Sequence, residues 1–238
     1  YLHPRTILTD SDYKNTFQKE MSLLESIRVE AKLGNLKKVL YISSAGEIYG
    51  SQTQKAHFEE ANVNPLSQYG KFKADIEKAY LSKLSNICQV FIVRTSNPYG
   101  KFNGVVMKRN FINRSINLAL NKKPIELWGN VTISRDFIYI DDFISAIRRM
   151  IFDLNLGTEV FNVGNGQSFS LGHVAKLIVS QISGASVIHT NVDYVPKISE
   201  NVIDISKAKK YLDWEPSVTL ESGIHSVIND IRKNNFQY

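Results

Sequence analysis

The sequence contains almost no cysteine and no long hydrophobic run, and each absence excludes a class of protein. Cys88 is the one cysteine among 238 residues, so the chain cannot form an internal disulfide or a zinc site built from several thiolates. No stretch reaches the roughly 18 consecutive apolar residues of a membrane-spanning helix. The first residues, from Tyr1 to Arg5, lack the apolar segment of a signal peptide, so we expect a cytoplasmic location and no membrane partner.

Charge of one sign is not concentrated anywhere in the sequence. The formal net charge is +6, but lysine and arginine are scattered in short clusters such as Lys37-Lys38 and Lys122-Lys123. Surfaces that bind nucleic acid combine a basic stripe with aromatic side chains that stack on bases. Because this combination is absent, we expect no nucleic-acid partner. A small anion such as a phosphate ester needs only a few cations in a cleft, and such a ligand stays possible.

The sequence also lacks internal repeats, low-complexity segments and the spacing of a metal site. The spacing of its histidines does not match that of metal ligands. These histidines include His57, His173, His189 and His225. We therefore expect no metal.

What the sequence does contain is an alternation of helix and strand patterns. After the possible cap Asp10-Ser11-Asp12, apolar residues recur every three or four positions up to Gly34, which predicts a helix that ends there. Short apolar runs at residues 38–44 and 89–94 predict buried parallel strands. A second helical pattern separates these strands, so the order is helix, strand, helix, strand. This order indicates an α/β fold with a parallel sheet.

Later segments continue the alternation. We expect strands near residues 136–140 and 160–164, and helices in the segments that lie around them: after residue 110, over 143–151 behind an Asp141-Asp142 cap, over 170–182 and over 220–231.

The helix between the first two strands carries Tyr69 and Lys73. Residues four apart on a helix are neighbours, so the Lys73 ammonium can lie near the Tyr69 phenol. A phenol has a reference pKa of about 10, and a nearby positive charge lowers it, which makes Tyr69 a candidate proton shuttle. Ser43 and Ser44 end the preceding strand, at the sheet edge where open parallel sheets bind ligands. The alternative is a surface helix with an accidental pair, because two residues are a weak motif without context.

One expected element is missing. A dinucleotide-binding sheet begins with a strand, a glycine-rich turn and a helix whose amino end holds the pyrophosphate. No such pattern precedes Gly34. We interpret the chain as starting within its fold, with the glycine-rich part upstream of Tyr1.

Taken together, the segments resemble the extended short-chain dehydrogenase/reductase family, in particular its nucleotide-sugar epimerases and dehydratases. The matching segments cover nearly the whole chain and occur in family order: Val39 to Ser44 with Tyr49-Gly50, Tyr69 to Lys73, Arg94 to Gly100, Arg135 to Asp142, Phe161 to Gly164, and Asp204 to Ala208 with Leu212 to Pro216. The resemblance implies a Rossmann-like doubly wound parallel sheet over residues 1–103 and 136–165. A smaller substrate domain would comprise residues 104–135 and 166–238.

The resemblance also implies a catalytic set. Tyr69 would be the acid/base that takes a proton from a sugar hydroxyl, and Lys73 would hold the nicotinamide ribose and lower the pKa of Tyr69. Ser43, Tyr69, Lys73 and Asn97 would contact the cofactor. The family adds a Ser or Thr hydroxyl at a position that is Ala45 here, so we expect the adjacent Ser44 to supply it. In the alternative, both serines only satisfy backbone groups at a strand end.

On the substrate side, the resemblance assigns Glu47, Asn97, Arg135 and Lys197. Arg135 matches an arginine that grips the substrate pyrophosphate, a task that suits a planar guanidinium. A second arginine expected near residues 194–200 is not found, and Lys197 is the nearby cation. Glu47 matches the elimination base of 4,6-dehydratases, but Gly46 replaces their general acid, which disfavours dehydration.

These assignments predict an NAD(P)-dependent epimerase acting at C4 of a nucleotide-diphosphate sugar. NAD is the expected cofactor, and NADP is not excluded. The alternatives are a 4-ketoreductase, a 4,6-dehydratase as the less favoured enzyme, and a non-catalytic binding relative of the fold. The resemblance also implies a homodimer formed through the helices at residues 11–33 and 67–85.

Overall fold

The structure, a computed structural model, describes residues 10–51, 56–103, 105–106, 110–153, 156–190 and 198–233. Helices and strands alternate along most of these ranges. The helices are α1 Asp10–Lys32, α2 Ala45–Ile48, α3 Gln68–Leu84, α4 Phe111–Leu120, α5 Ile140–Phe152, α6 Leu171–Ser180, α7 Ser206–Leu212 and α8 Leu220–Lys233. The strands are β1 Lys38–Ser44, β2 Gln89–Thr95, β3 Asn97–Tyr99, β4 Lys101–Phe102, β5 Val105–Val106, β6 Ile125–Trp128, β7 Ser134–Tyr139, β8 Glu159–Val163, β9 Ser168–Ser170, β10 Val187–Thr190 and β11 Glu200–Asn201.

A three-stranded parallel sheet with the order β1-β2-β8 confirms the expected α/β fold. Helices cover both of its faces, which explains why β1 and β2 have apolar runs rather than a strict alternation. On one face, α1 and α3 pack on Val39, Tyr41, Val90 and Ile92. On the other face, α5 and α7 pack on side chains that include Phe91. The carboxyl ends of the three strands meet at one edge, where Ser44, Thr95 and Val163 are in register.

A second set of elements surrounds its own core and is called the carboxyl-terminal region here. It consists of β6 paired with β10, of β7 with its neighbours β3, β11 and β9, and of helices α4, α6 and α8. Ile112, Ile178 and Ile224 from the three helices are completely buried in this core. Tyr99, Phe137 and Tyr139 also contribute to this core, and the predicted division into two domains stays a prediction.

Two of the expected helix boundaries were right and one was wrong. Gly34, with a positive φ of 82°, follows α1, and Ser170 caps α6 by accepting a hydrogen bond from the His173 N–H. Asp141-Asp142 do not cap α5, because the helix already begins at Ile140. Asp142 instead accepts hydrogen bonds from the backbone N–H groups of the Ser217-Val218 segment, and its position is determined by this tertiary contact.

Two further features bear on function. None of the described helices combines the length and apolar character that a membrane span requires. Across the ranges given above, no cluster of three or more His, Cys, Asp or Glu side chains could hold a metal ion.

Candidate active site

The first turn of α3 is fixed against the short helix α2. Ser67 caps α3, since its hydroxyl accepts a hydrogen bond from the Gly70 N–H at 2.9 Å and donates one to the Glu47 carboxylate at 2.7 Å. A Cβ atom at Gly70 would lie 2.5 Å from the Glu47 carbonyl oxygen and 2.8 Å from the Pro65 side chain. Only glycine permits this approach. The contact therefore places Tyr69, the residue before Gly70, beside the carboxyl edge of the sheet.

Lys73 lies under Tyr69 and against β1. Its side chain is almost entirely buried, and its ammonium donates a hydrogen bond to the Ile42 carbonyl at 2.8 Å. The ammonium is 4.7 Å from the centre of the Tyr41 ring and 5.9 Å from that of Tyr69. Burial lowers the pKa of Lys73 to about 8, while Glu20 and Glu77 raise it. The structure thus brings the Tyr69 ring and a buried cation together.

The ammonium of Lys73 has unused hydrogen-bonding capacity. A lysine carries three N–H donors, and within the described part of the chain only the bond to Ile42 engages them. Two donors remain for a ligand, which suits a pair of neighbouring hydroxyl groups.

The two serines that end β1 point to opposite faces of the sheet, because successive strand residues alternate. Ser43 shares the α3 face with Tyr41, is 3% exposed, and its hydroxyl has no hydrogen-bond partner among the described residues. Ser44 lies on the other face and is half-buried. Ala45 is fully buried in an apolar cluster with Tyr49 and Ile203. The structure therefore brings the hydroxyl of Ser43 to the Lys73 side, and the assignment of Ser44 as catalytic hydroxyl stays a prediction.

The expected substrate residues lie in different surroundings. Glu47 is held by Ser67, as described above, and Asn97 at the start of β3 donates a hydrogen bond to the Asp136 carbonyl at 2.8 Å. The guanidinium of Arg135 donates hydrogen bonds to the backbone carbonyls of Ser134, the first residue of β7, and of Ile198 and Ser199, which directly precede β11. Lys197 lies outside the described residues.

Asp136 is a buried group whose importance the sequence patterns did not reveal. Its carboxylate is completely buried and accepts hydrogen bonds from the backbone N–H groups of Asn165 and Gly166, at 2.8 and 2.9 Å. Burial raises the pKa of Asp136 to about 6, although these two backbone hydrogen bonds oppose the shift. The carboxylate thus fixes the turn after β8 at the same sheet edge. Its place directly after Arg135 in a matched segment was the one available signal.

A buried ion pair fixes α3 to the sheet. Arg94 of β2 and Glu77 of α3 are 2.8 Å apart, and both side chains are more than nine-tenths buried. Arg94 also donates to the Tyr49 hydroxyl, which in turn donates to Asn162 of β8. Arg94 lies in a segment that resembles the family pattern, whereas no sequence pattern identifies its partner Glu77.

The site fits one half of a nicotinamide dinucleotide. The two available donors of Lys73 suit the ribose hydroxyls, and the Ser43 hydroxyl on the same face is buried without a partner in the described ranges. The residues that the structure describes contain no glycine-rich turn between a strand and a long helix, so they offer no site for the pyrophosphate.

Comparisons with known proteins agree with this geometry. A model of the NAD dependent epimerase/dehydratase family matches residues 3–164. The dTDP-4-dehydro-6-deoxyglucose reductase of Escherichia coli is 29% identical over 204 residues, which are 82% of this chain and 62% of that protein. The UDP-glucuronate 4-epimerase of Thermodesulfobacterium geofontis is 30% identical over 200 residues, which are 83% of this chain and 60% of that protein. The chain thus spans less than two thirds of the length of these relatives.

Solved structures show the same fold. A UDP-glucuronic acid 4-epimerase from Bacillus cereus, crystallised with UDP-glucuronic acid and NAD, superposes with a TM-score of 0.82 at 26% identity, over 96% of this chain and 72% of that one. A UDP-glucose 4-epimerase from Thermotoga maritima gives a TM-score of 0.83 at 24% identity, over 99% of this chain and 77% of that one. The Rossmann-like class of the fold is therefore confirmed.

Proposed function

The chain belongs to the NAD dependent epimerase/dehydratase family, and from this premise we propose that it carries the acid/base centre of an NAD-dependent enzyme that inverts C4 of a nucleotide-diphosphate sugar. The observation that supports this proposal most is the Tyr69 ring beside the buried Lys73 ammonium at the carboxyl edge of the sheet. The B. cereus structure, with both UDP-glucuronic acid and NAD bound, supports the choice of ligands.

In this reaction Tyr69 moves one proton. Its phenolate takes the proton of the C4 hydroxyl when the carbinol is oxidised, and returns it when the ketone is reduced on the other face. Lys73 stabilises the phenolate electrostatically and holds the ribose diol with its two remaining donors. Bound NAD supplies the hydride acceptor and donor. Ser43, Ser44 and Asn97 complete the cofactor and substrate contacts.

A ketoreductase is the second candidate, favoured by the similarity to the E. coli reductase. It needs the same Tyr69 proton but consumes one reduced cofactor per turnover. Dehydration is disfavoured because Gly46 supplies no acid. Moreover, the hydrogen bond from Ser67 already engages the Glu47 carboxylate.

Product analysis distinguishes these functions. The purified full-length protein is incubated with NAD and, separately, with UDP-glucose and UDP-glucuronic acid, and proton NMR follows the sugar H4 signal. We expect the C4 epimer to accumulate without net change in NADH absorbance. Oxidation of NADH with a 4-keto nucleotide sugar, without inversion in the other assays, would identify the reductase. No conversion by protein that binds cofactor would contradict both enzymes.

We also propose a homodimer formed by residues 11–33 and 67–85. Helices α1 and α3 in these ranges are joined by a hydrogen bond from the Tyr13 hydroxyl to Asp75, and α1 exposes large apolar side chains such as Leu23 and Val29. Symmetric dimers are the commonest soluble oligomers. Light scattering should show twice the chain mass at micromolar concentration, and a monomer would contradict the proposal.

The remaining assignments are proposals of the same kind. Residues 1–103 and 136–165 would form the cofactor domain, and residues 104–135 and 166–238 the substrate domain, in a cytoplasmic enzyme. The hydrophobic core around α4, α6 and α8 supports a separate substrate domain, and Tyr99, Phe137 and Tyr139 of the proposed cofactor domain pack in this core as well.

A further inference from the structure

Burial destabilises the charged form of Lys73, and other groups in the site have to offset this desolvation cost. The ammonium is buried against the Tyr41 ring and makes its single described hydrogen bond to an uncharged carbonyl. Removing an ammonium from water disfavours its charged form. The function proposed above needs Lys73 charged, and the inference that follows rests on that function.

Glu77 cannot offset this burial alone, although it lies one helical turn from Lys73. Its two carboxylate oxygens accept three hydrogen bonds from Arg94, at 2.8, 3.2 and 3.2 Å. Both partners of this ion pair are buried. The Arg94 cation therefore compensates most of the Glu77 charge before it acts on Lys73.

Glu20 is the second carboxylate near Lys73, and it comes from a different helix. On α1 it is three residues after Phe17 and four before Leu24, both of which pack toward α3 and the sheet. Residues at these spacings share a helix face, so the half-buried Glu20 side chain lies at the border of the α1–α3 interface. It makes no hydrogen bond or ion pair with any residue that the structure describes.

Packing locates Glu20, because its neighbours on the same α1 face, Phe17 and Leu24, lie in one hydrophobic cluster with Tyr41 and Tyr80. The Glu20 carboxylate also acts electrostatically on this cluster. It contributes to raising the pKa of three groups: Tyr41, Lys73 and Tyr80. Tyr41 and Tyr80 stack at 4.7 Å, and the Lys73 ammonium lies 4.7 Å from the Tyr41 ring. Glu20 therefore lies on the helix face beside this cluster, and its charge raises the Lys73 pKa.

We propose that Glu20 is a positioning residue of the active site, which supplies the counter-charge that keeps the buried Lys73 protonated beside Tyr69. The groups that face Lys73 are then Glu20 from α1, Tyr41 from β1, and Tyr69, Glu77 and Tyr80 from α3, with Arg94 of β2 behind Glu77. Of the two carboxylates in this set, Glu20 is the one without a cation of its own in the described structure. The acid/base array thus extends from Tyr69 through Lys73 to a third side chain on α1.

The titration of Lys73 tests this proposal without substrate or turnover. Lysine side chains are labelled with carbon-13 at Cε, and the Lys73 signal is assigned by its loss in Lys73→Met. In Glu20→Gln, which keeps the side-chain shape, we expect the Lys73 pKa to fall by about half a pH unit or more, because the opposing carboxylate is gone. An unchanged Lys73 pKa in a folded Glu20→Gln protein would overturn the proposal.

Three further variants separate charge from packing. Glu30→Gln, on an exposed position of α1 where Glu30 meets Asn35, should leave the Lys73 pKa unchanged. Glu20→Asp should recover part of the shift, whereas a pKa as low as in Glu20→Gln would show a packing effect and contradict the proposal. If Glu20→Gln does not fold, Glu20→Met removes the same charge, and the Lys73 pKa should fall in this variant as well. An unchanged Lys73 pKa in folded Glu20→Met would overturn the proposal.

The pH dependence of turnover gives a second test once an activity is established. We expect the alkaline limb of turnover in Glu20→Gln to move to lower pH by the same amount as the Lys73 pKa. If turnover is absent from the unaltered protein, the proposed function fails, while the NMR titration still decides the role of Glu20.

Discussion

Lys73 in the parallel-sheet region and Arg135 in the carboxyl-terminal region are both cations near bound ligands in the proposed function, and their surroundings differ. Among the described residues, Lys73 makes one hydrogen bond, to the Ile42 carbonyl, and its ammonium lies against the Tyr41 ring. Arg135 donates at least three hydrogen bonds to backbone carbonyls around β7 and β11. The buried Lys73 ammonium keeps N–H donors for a ligand, whereas backbone carbonyls fix the orientation of the Arg135 guanidinium.

The difference indicates how each region prepares its part of the site. Around Lys73, rigid packing of α3 on the sheet creates a buried charge whose pKa responds to its neighbours, which suits proton chemistry. Around Arg135, backbone carbonyls orient a guanidinium whose charge is permanent, which suits binding. Catalysis should therefore be sensitive to the first region, and substrate affinity to the second.

The largest effect on stability is expected from breaking the ion pair that attaches α3 to the sheet. Arg94→Met leaves the buried Glu77 carboxylate without its partner, and such a change costs about 3–5 kcal/mol of unfolding free energy. Urea denaturation measures this loss. If Arg94→Met changes stability by less than about 1 kcal/mol, α3 is not held in place by this pair.

Two controls accompany this variant. Lys209→Met breaks the exposed pair with Glu215 and should cost at most about 1 kcal/mol. The double variant Arg94→Met, Glu77→Leu should recover much of the lost stability, because it removes the unpaired buried charge as well.

A smaller effect is expected from the buried Asp136, and it depends on pH. Because burial raises the pKa of Asp136 to about 6 in the folded protein, the folded state keeps its proton at pH values where the unfolded state has lost it. The contribution of Asp136 to stability therefore falls as pH rises from about 4 to 6, by up to roughly 3 kcal/mol.

The Asp136→Asn variant isolates this contribution. Urea denaturation of both proteins at pH 4.5 and 7.5 gives the stability difference at each pH, in which the other titrating groups cancel. We expect the unfolding free energy of the unaltered protein, relative to that of Asp136→Asn, to be higher at pH 4.5 than at pH 7.5. A difference that is equal at both pH values, or larger at pH 7.5, would show that Asp136 does not titrate in this way.

The smallest effect is expected at Arg135. Arg135→Ala should raise the substrate KM about tenfold, roughly 1.4 kcal/mol, and lower kcat much less, because binding common to ground and transition state is lost. Steady-state kinetics measure both constants, and Arg148→Ala on the exposed side of α5 serves as control. An unchanged KM in Arg135→Ala would show that Arg135 does not bind the substrate. The proposed contrast between a catalytic and a substrate-binding region would then be wrong.

The sequence was sufficient for the sheet and for Tyr69 with Lys73, because both depend on local patterns. Apolar runs reveal parallel strands, and a four-residue spacing places two side chains on one helix face. The alternation of strand residues could also have shown that Ser43 and Ser44 point to opposite faces. Which of these faces carries α3 became clear only from the packed helix.

The remaining features depend on contacts between distant segments. The pairing of Arg94 with Glu77, and the field of Glu20 on Lys73, arise from the packing of separate helices on the sheet. Local patterns favour Asp142 as a helix cap, but its hydrogen-bond partners lie in the segment around Ser217. No local rule predicts such tertiary hydrogen bonds.

Tyr69 is the acid/base of the proposed site, and a comparison of Tyr69→Phe with the unaltered protein tests this role. Calorimetry measures binding of the nucleotide sugar, proton NMR measures C4 inversion, and Tyr211→Phe on the exposed side of α7 is the control. We expect Tyr69→Phe to bind the sugar nucleotide normally and to lose turnover by about 10²-fold or more, the scale for a positioned acid/base. Turnover of Tyr69→Phe within a few-fold of the unaltered protein would contradict the claim.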